Sequence, residues 1–367
     1  MALRVESITA RPLTVPLRDP FVIASGRIDA TRAALVEATV RDDITGAVAT
    51  GLGEAAALPP VTREDQPELL AIVRAFAAAH REDTGDDDPL RWVARCVSAA
   101  PLAESAVARA AVECALLDAV ARLRGEALYA MLSGGDAATR LVSDITIPIH
   151  APTYMATLAG QWRARGFRCF KVKVGLDLAQ DLAALGAIVA EVPDATFVLD
   201  ANGGFSAREA VELYEGARRL GAVVVCFEQP CARDDLDGMR AVTAALPVPV
   251  IADESVRSTR ELREVVERGA AGGVNLKLVK MGGLVAALEV GREAKRLGMR
   301  VMFGAMVETR LGITAAAHVC AALGGVDFVD LDTAWLMASD RFEGGYAAEG
   351  PVMTLPDAPG LGLRFTG

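Results

Sequence analysis

The chain has 367 residues, of which 52% are hydrophobic and 23% charged, so it is longer than one core usually holds and is not disordered. Its net charge of −10, from 38 basic and 48 acidic residues, disfavours binding to nucleic acid. Its apolar stretches fall short of the roughly 20 residues that cross a membrane, its start lacks a secretory signal pattern, and its six cysteines form no CxxC pair. We therefore expect no membrane partner and a cytoplasmic location.

The first part of the chain predicts strands followed by helices. Strand patterns run from Val5 to Val15 and from Ala33 to Thr39, a loop separates them at Asp19 to Arg27, and helical spacing runs from Glu64 to Leu132. Gly125 is a typical stop for the alanine-rich helix before it. This order predicts an α+β capping domain over residues 1–125.

From about residue 141 the chain alternates short apolar runs with helical segments. Strands are expected at Val142–Ile149, Cys169–Val174, Thr196–Leu199, Val223–Phe227, Val248–Ala252, Gly273–Leu276, Arg300–Phe303 and Asp327–Leu331. Helices are expected at Gln180–Glu191, Ala207–Leu220, Leu236–Ala245, Thr259–Gly269, Leu284–Leu297 and Gly312–Ala322. Apolar strands that alternate with helices indicate parallel strands buried on both faces.

Eight such strands predict an α/β fold, a (β/α)7β TIM-type barrel over residues 126–335, with a tail at 336–367 that returns to the capping domain. The alternative is a doubly wound nucleotide-binding sheet, which needs a glycine-rich turn after its first strand. Gly134 and Gly135 precede a strand instead, which favours the barrel.

Three acids terminate neighbouring strands of the predicted barrel. Asp200, Glu228 and Asp253 follow the third, fourth and fifth strands, about one βα unit apart, and the carboxyl ends of such strands share one mouth. They offer hard oxygen ligands and leave room for water and substrate, which suits Mg²⁺. Zn²⁺ would prefer His or Cys, and the three histidines lie elsewhere in the sequence. We therefore predict a magnesium site.

Two lysines flank these acids on the predicted strands. Lys173 lies on the second strand and Lys277 ends the sixth, so a substrate would lie between two amines. Lys171 is two residues before Lys173 and points the same way, and a neighbouring cation makes a lysine a better base. Lys171 is therefore expected to tune the proton affinity of Lys173. The plain alternative is that the lysines only neutralise the acids.

Together these residues resemble the enolase superfamily, in its muconate-lactonizing subgroup, over nearly the whole chain. The motifs that carry the resemblance are Lys171-x-Lys173, Asp200-Ala-Asn202, Glu228-Gln-Pro230, Asp253-Glu254-Ser255 and Asn275-Leu-Lys277-Leu. The resemblance implies that the three acids hold Mg²⁺, that Lys173 and Lys277 are the acid/base catalysts, and that the metal stabilises an enediolate of the substrate.

The end of the eighth strand distinguishes reactions within the subgroup. Asp330-x-Asp332 resembles a motif of dipeptide epimerases that holds the substrate's ammonium group, and two extra carboxylates in an acidic mouth call for a cation. Thr146 matches a family position near the peptide backbone. Arg27 matches a position that meets a substrate glutamate in Ala-Glu epimerases. The alternative for Asp332 is a pair with Arg310 or a helix cap.

The sequence thus predicts an isomerase that inverts the α-carbon of the C-terminal residue of an L-dipeptide, such as L-Ala-L-Glu, in a homo-oligomer. Phe21, Val22 and Ile23 could shape an apolar pocket and so leave hydrophobic dipeptides open. The alternatives are an N-acylamino acid racemase or o-succinylbenzoate synthase, a muconate-type cycloisomerase, and a metal-binding protein without activity. Glu308 follows the seventh strand and has no assigned role.

Overall fold

A computed structural model describes residues 2–23, 26–59, 61–79, 88–135 and 137–367. His80, Asp86 and Asp87 lie outside the described residues. Asp88 is the N-cap of a helix, where its side chain accepts a hydrogen bond from the Leu90 amide at 2.9 Å. No helix in the described part of the chain combines the length and apolar character that a membrane crossing needs.

The first domain is an antiparallel sheet with helices on it. The strands β1 (Leu3–Ile23), β2 (Gly26–Asp42) and β3 (Val48–Ala57) pair in chain order, and the helices are α1 (Gln66–Ala79), α2 (Pro89–Val97) and α3 (Ala106–Arg124). Ser105 caps the start of α3, and Gly125 ends it at φ 69°, which confirms the predicted stop. The antiparallel sheet and its helices confirm the predicted α+β domain.

The expected loop from Asp19 to Arg27 is wrong for the residues that the structure describes. β1 continues to Ile23, and β2 already begins at Gly26. The register of pairing shifts between Pro16 and Phe21, and the pairing resumes beyond Pro20. Proline has no backbone N–H to donate, and a bulge at this point removes the need for one. The β1–β2 hairpin therefore reaches further toward the barrel than the composition of this segment indicated.

A short helix and strand, α4 (Leu128–Ser133) and β4 (Arg140–Val142), lead into an eight-stranded parallel sheet. Its strands are β5 (Ile145–Ile147), β6 (Cys169–Lys173), β7 (Thr196–Asp200), β8 (Val223–Glu228), β9 (Val250–Ala252), β10 (Gly273–Leu276), β11 (Arg300–Gly304) and β12 (Phe328–Asp330). They pair in chain order, and the Asp144 amide donates to the Val329 carbonyl at 2.9 Å, which links the last strand to the first. The sheet is a nearly closed barrel, as the sequence predicted.

Helices surround this barrel. They are α5 (Pro152–Ala164), α6 (Leu178–Glu191), α7 (Ala207–Arg219), α8 (Leu236–Ala245), α9 (Thr259–Glu267), α10 (Leu278–Met281), α11 (Leu284–Arg296), α12 (Arg310–Leu323) and α13 (Thr333–Leu336). The six predicted helices are confirmed. α5 was not predicted, although its buried Met155, Ala159 and Trp162 have helical spacing after a proline at the first turn.

The C-terminal residues form four short strands, β13 (Phe342–Gly344), β14 (Ala347–Glu349), β15 (Val352–Thr354) and β16 (Leu363–Phe365). β13 pairs with β16, while β15 lies between β14 and β4. The sequence predicts Val142 in the first barrel strand, but in the structure Val142 belongs to β4. Arg122 of α3 donates to the Leu363 carbonyl at 2.7 Å, so the end of the chain contacts the first domain. The domain boundaries at 125/126 and 335/336 stay a prediction.

Candidate active site

The carboxyl ends of the barrel strands bring the predicted residues to one mouth. Lys173, Asp200 and Glu228 are the last residues of β6, β7 and β8 and lie beside each other in register. Asp253 directly follows β9, and Lys277 directly follows β10. All five side chains are buried, because apolar strands carry them into the space between barrel and hairpin.

A cavity opens at this mouth. Of the predicted residues, its lining includes Thr146, Lys171, Lys173, Asp253, Lys277, Asp330 and Asp332. The first domain contributes Phe21 and Ile23 from β1, together with Leu58 and Val61. The barrel therefore supplies the charged floor, and the first domain supplies much of the apolar wall.

Lys171 occupies the centre of the charged floor. Its Nζ lies 2.9 Å from Asp200 Oδ2, 2.7 Å from Glu228 Oε2 and 2.7 Å from Asp330 Oδ2. Burial by itself lowers the pKa of Lys171, but the charges of Asp200, Asp330 and Glu228 outweigh it, and the pKa lies well above its ordinary value. Lys171 is therefore a fixed cation that holds three carboxylates together.

Two further lysines face each other across the mouth. Lys173 Nζ lies 2.6 Å from Asp200 Oδ2, and Lys277 Nζ lies 2.8 Å from Asp253 Oδ2. β6 and β10 are four strands apart in an eight-stranded barrel, which puts their ends on opposite sides. Burial lowers the pKa of Lys277, but the neighbouring carboxylates, Asp253 first, raise it above its ordinary value.

The three predicted metal-binding acids are each engaged with cations or amides in the structure. Asp253 Oδ1 accepts from Lys280 Nζ at 2.5 Å, and Glu228 Oε1 accepts from Asn275 Nδ2 at 2.7 Å. Burial and the charge of Asp200 raise the pKa of Glu228 to about 7. Lysine ammonium groups contact the oxygens of these acids. Among the described residues, a different set of three carboxyl groups, Asp144, Asp330 and Asp332, each offers one oxygen within 4.8 Å of the other two.

The donor set nevertheless fits a hard divalent cation. Glu228 Oε2 is buried and accepts no hydrogen bond from the residues that the structure describes, although it lies 2.7 Å from Lys171 Nζ. Asp200, Glu228 and Asp253 provide oxygen donors from three consecutive rigid strands, which is the chemistry that Mg²⁺ prefers. A divalent ion between them would offset the repulsion that raises the pKa of Glu228.

The Asp-x-Asp motif lies beside this floor. Asp332 Oδ2 accepts the Thr146 amide at 2.6 Å, and burial together with the charge of Asp330 raises the pKa of Asp332 to about 6. Arg310 pairs with Asp340 at 2.5 Å, and Asp332 makes no side-chain cap at the start of α13. Neither plain alternative for Asp332 therefore holds.

Arg27 lies apart from the cavity. Its guanidinium pairs with Asp29 at 2.9 Å, and its side chain is 61% exposed. The cavity lining on this hairpin consists of Phe21 and Ile23. The structure thus brings together every predicted site residue except Arg27 of β2, and Phe21 and Ile23 of the paired strand β1 line the cavity instead.

Several polar residues of the mouth received no role from the sequence alone. Lys280 Nζ donates to the carbonyls of Asp253 and Asn275 as well as to the Asp253 carboxylate, and Asn202 Nδ2 donates to Glu254 at 3.2 Å. Asp144 directly precedes β5 and is buried. In the sequence, Asp144 stands at the start of an apolar run. This position indicates a buried charged residue with partners, because burying an unpaired charge costs free energy.

Comparisons with known proteins identify related sequences. The family described as "Enolase C-terminal domain-like" matches residues 154–366. An L-Ala-D/L-amino acid epimerase of Populus trichocarpa is 39% identical over 98% of this chain and 84% of the relative. A hydrophobic dipeptide epimerase of Citrifermentans bemidjiense is 34% identical over 99% of this chain and 98% of the relative.

A solved structure also has a fold similar to that of this chain. The dipeptide epimerase of Enterococcus faecalis V583, complexed with Mg and the dipeptide L-Leu-L-Tyr, superposes with a TM-score of 0.88 at 29% identity, covering 98% of this chain and 99% of that one. The chain belongs to the enolase superfamily. Within it the chain is similar to dipeptide epimerases and is an enzyme of the isomerase class.

Proposed function

We propose that this enzyme is a Mg²⁺-dependent epimerase of L-dipeptides that inverts the α-carbon of the C-terminal residue by 1,1-proton transfer. The observation that carries the proposal is the pair of amines on opposite sides of one acidic mouth, with Asp330 and Asp332 beside it. Support comes also from relatives named as dipeptide epimerases.

The lysines divide the proton transfer between two faces of the substrate. In one direction Lys173, as the neutral amine, removes the α-proton, and Lys277, as the ammonium, delivers a proton to the opposite face; the reverse direction exchanges these roles. The carbanion between the two steps is delocalised into the neighbouring carboxylate as an enediolate. Each turnover therefore leaves one lysine with a proton more and the other with a proton less.

The metal would be held by Asp200, Glu228 and Asp253. When bound, it supplies a Lewis acid for the negative charge that develops on the substrate carboxylate. Lys171 remains a cation at the floor of the mouth because three carboxylates surround it. It keeps these acids in position.

The substrate's free ammonium group would lie against Asp330 and Asp332. An N-acylamino acid or a succinylbenzoate lacks this cation and would leave Asp330 and Asp332 beside Lys171, whose single charge Asp200 and Glu228 also share. A dipeptide therefore matches the charge of the mouth better than the substrates of the rival reactions.

The side-chain preference follows from the apolar wall. Phe21, Ile23, Leu58, Val61 and Met306 line the cavity, whereas Arg27 pairs with Asp29 outside its lining. A glutamate side chain would have to lose water against these residues without a matching cation from Arg27. We therefore expect dipeptides with an apolar residue, such as L-Ala-L-Leu, to be better substrates than L-Ala-L-Glu.

Isotope exchange in D₂O tests the proposal. We expect Mg²⁺-dependent loss of the α-proton signal of the C-terminal residue across a panel of L-dipeptides, followed by proton NMR. Chelation with EDTA should stop the exchange, and added Mg²⁺ should restore it. The N-acetyl derivative of the best dipeptide is the matched control for the ammonium group. Exchange of the N-acyl compound alone, or of no compound, would contradict the proposal.

A further inference from the structure

Asp144 adds a third carboxyl group to the Asp-x-Asp pair. One oxygen of Asp144, one of Asp330 and one of Asp332 all lie within 4.8 Å of one another, and all three residues are buried. The backbone fixes this proximity, because the Asp144 amide donates to the Val329 carbonyl and the Ser143 hydroxyl accepts the Leu331 amide, both at 2.9 Å. The cluster lies where the barrel closes.

The surroundings of Asp144 offer little to stabilise a negative charge. Its Oδ1 atom is buried and has no hydrogen-bond partner among the described residues. The nearby cation is Lys171, whose single charge is already shared by Asp200, Glu228 and Asp330. The facing thiols of Cys169 and Cys226 are neutral, because burial raises the pKa of each.

Three adjacent buried carboxyl groups cannot all be ionised, as with carboxylate pairs that share one proton. Lys171 Nζ lies 2.7 Å from Asp330 Oδ2, and the Thr146 amide donates to Asp332 Oδ2 at 2.6 Å, so each of these two carboxylates has a donor. Burial and the charges of Asp330 and Asp332 raise the pKa of Asp144 well above its ordinary value. The proton shared by the cluster therefore belongs on Asp144.

We infer that Asp144 is a positioning residue, a neutral carboxylic acid that donates a hydrogen bond to Asp330 and orients it toward the substrate's ammonium group. This inference rests on the proposed function, since it assigns that cation to Asp330 and Asp332. It leaves the cluster with two negative charges, beside Lys171 and one substrate ammonium. An ionised Asp144 would leave a buried charge without a counterion.

Two substitutions distinguish the neutral acid from a third anion. Asp144→Asn keeps the shape of the side chain and a hydrogen-bond donor, so it should keep kcat/KM for the best dipeptide within about threefold of the parent. Asp144→Ala removes the donor, and we expect KM to rise about tenfold with little change in kcat. Asp330→Asn is the control. It removes a charge that meets the substrate, so its kcat/KM should fall further than that of Asp144→Ala.

A purely structural role is separated by a second measurement. The competitive inhibition constant of a des-amino analogue, which lacks the ammonium group, should change less than about threefold in Asp144→Ala while KM for the dipeptide rises. Equal weakening of both compounds would overturn the inference, as would an Asp144→Asn variant as impaired as Asp144→Ala, or an Asp144→Ala variant equal to the parent.

The protonation state can be read without turnover. The infrared difference spectrum of the parent minus Asp144→Asn should contain the carbonyl stretch of a protonated carboxylic acid, shifted in D₂O. Absence of this band in an enzyme that exchanges dipeptides would overturn the inference. A parent without any dipeptide exchange would overturn the proposed function whatever the infrared spectrum shows, so the two failures are told apart.

Discussion

At the scale of single residues, four lysines of the mouth have different roles because their partners differ. Lys171 contacts three carboxylates, and Lys280 contacts two backbone carbonyls and the Asp253 carboxylate. These lysines are enclosed by acceptors and hold the floor together. Lys173 and Lys277 also line the cavity, and each contacts a single carboxylate among the described residues, which leaves them able to reach a substrate.

The two-base arrangement predicts a one-sided defect for each lysine. Lys277→Ala should abolish epimerisation, with kcat lower by about 10²–10⁴-fold, because one face of the α-carbon loses its acid or base. Exchange of the α-proton in D₂O should survive for the epimer whose proton points toward Lys173 and disappear for the other. Proton NMR of the separate L,L and L,D dipeptides measures this.

Lys173→Ala is the reciprocal control for this experiment. It should preserve exchange of the opposite epimer, since the remaining amine then faces the other side of the α-carbon. Equal loss of exchange for both epimers in both variants would contradict the two-base picture.

At the scale of elements, the first domain depends on a close approach between β3 and α3. A Cβ added at Gly53 would overlap the carbonyl oxygen of Ala111, and one at Gly51 would overlap that of Ala115. Two residues of strand advance about 6.6 Å and four residues of helix about 6 Å, so the two glycines match one turn of the helix. The sheet and helix can pack this closely because both strand positions lack side chains.

Gly53→Ala should therefore destabilise the protein. The overlapping atoms belong to backbone, so strand and helix would have to separate, and we expect the free energy of unfolding to fall by about 3 kcal/mol. Urea denaturation followed by circular dichroism measures the change. Gly135→Ala is the matched control, because a Cβ there meets nothing within 4 Å, and it should stay within about 0.5 kcal/mol of the parent. Equal stability of the two variants would contradict the packing argument.

At the scale of the whole molecule, buried acids of the first domain hold the ends of barrel helices. Glu113 of α3 accepts the Val285 amide at the start of α11 at 2.9 Å. Glu54 of β3 accepts the amides of Thr309 and Gly312 at the start of α12, both at 2.9 Å. The partial positive charge of a helix start favours these contacts, which fix the apolar wall relative to the charged floor.

Stability should consequently depend on pH through Glu113. Burial raises its pKa to about 7 from an ordinary value near 4.5. Between these values the unfolded chain loses the proton while the folded protein keeps it, so the free energy of unfolding falls as pH rises, by on the order of 3 kcal/mol in total. Glu113→Gln should flatten the curve over this range, as measured by urea denaturation at several pH values.

Glu349→Gln provides the control for this titration, because Glu349 is exposed on β14. Between the ordinary and the raised pKa of Glu113, the free energy of unfolding of Glu349→Gln should change with pH at the same slope as that of the parent. An unchanged slope in Glu113→Gln would contradict the assignment of this titration to Glu113.

Much of the site could be predicted from the chain because strand ends are local features. An apolar run that ends in Asp200 or Glu228 already indicates a buried carboxyl group at the barrel mouth, and the regular βα spacing indicates that such groups share it. The sequence did not indicate which side chains of the β1–β2 hairpin face the cavity. Phe21 lies in the cavity lining and Arg27 outside it because strand register alternates side chains, and register depends on pairing and bulges.

The sequence by itself determined the barrel, the capping sheet and the ring of charged strand ends, because hydrophobic period and spacing are written along the chain. Only the tertiary structure decided which charges neutralise each other. Lys171 meets Asp330 across 159 positions of sequence, and Asp144 meets the same aspartate where the barrel closes. The physical reason is that the charge state of a buried group depends on its neighbours in space, and barrel closure selects those neighbours.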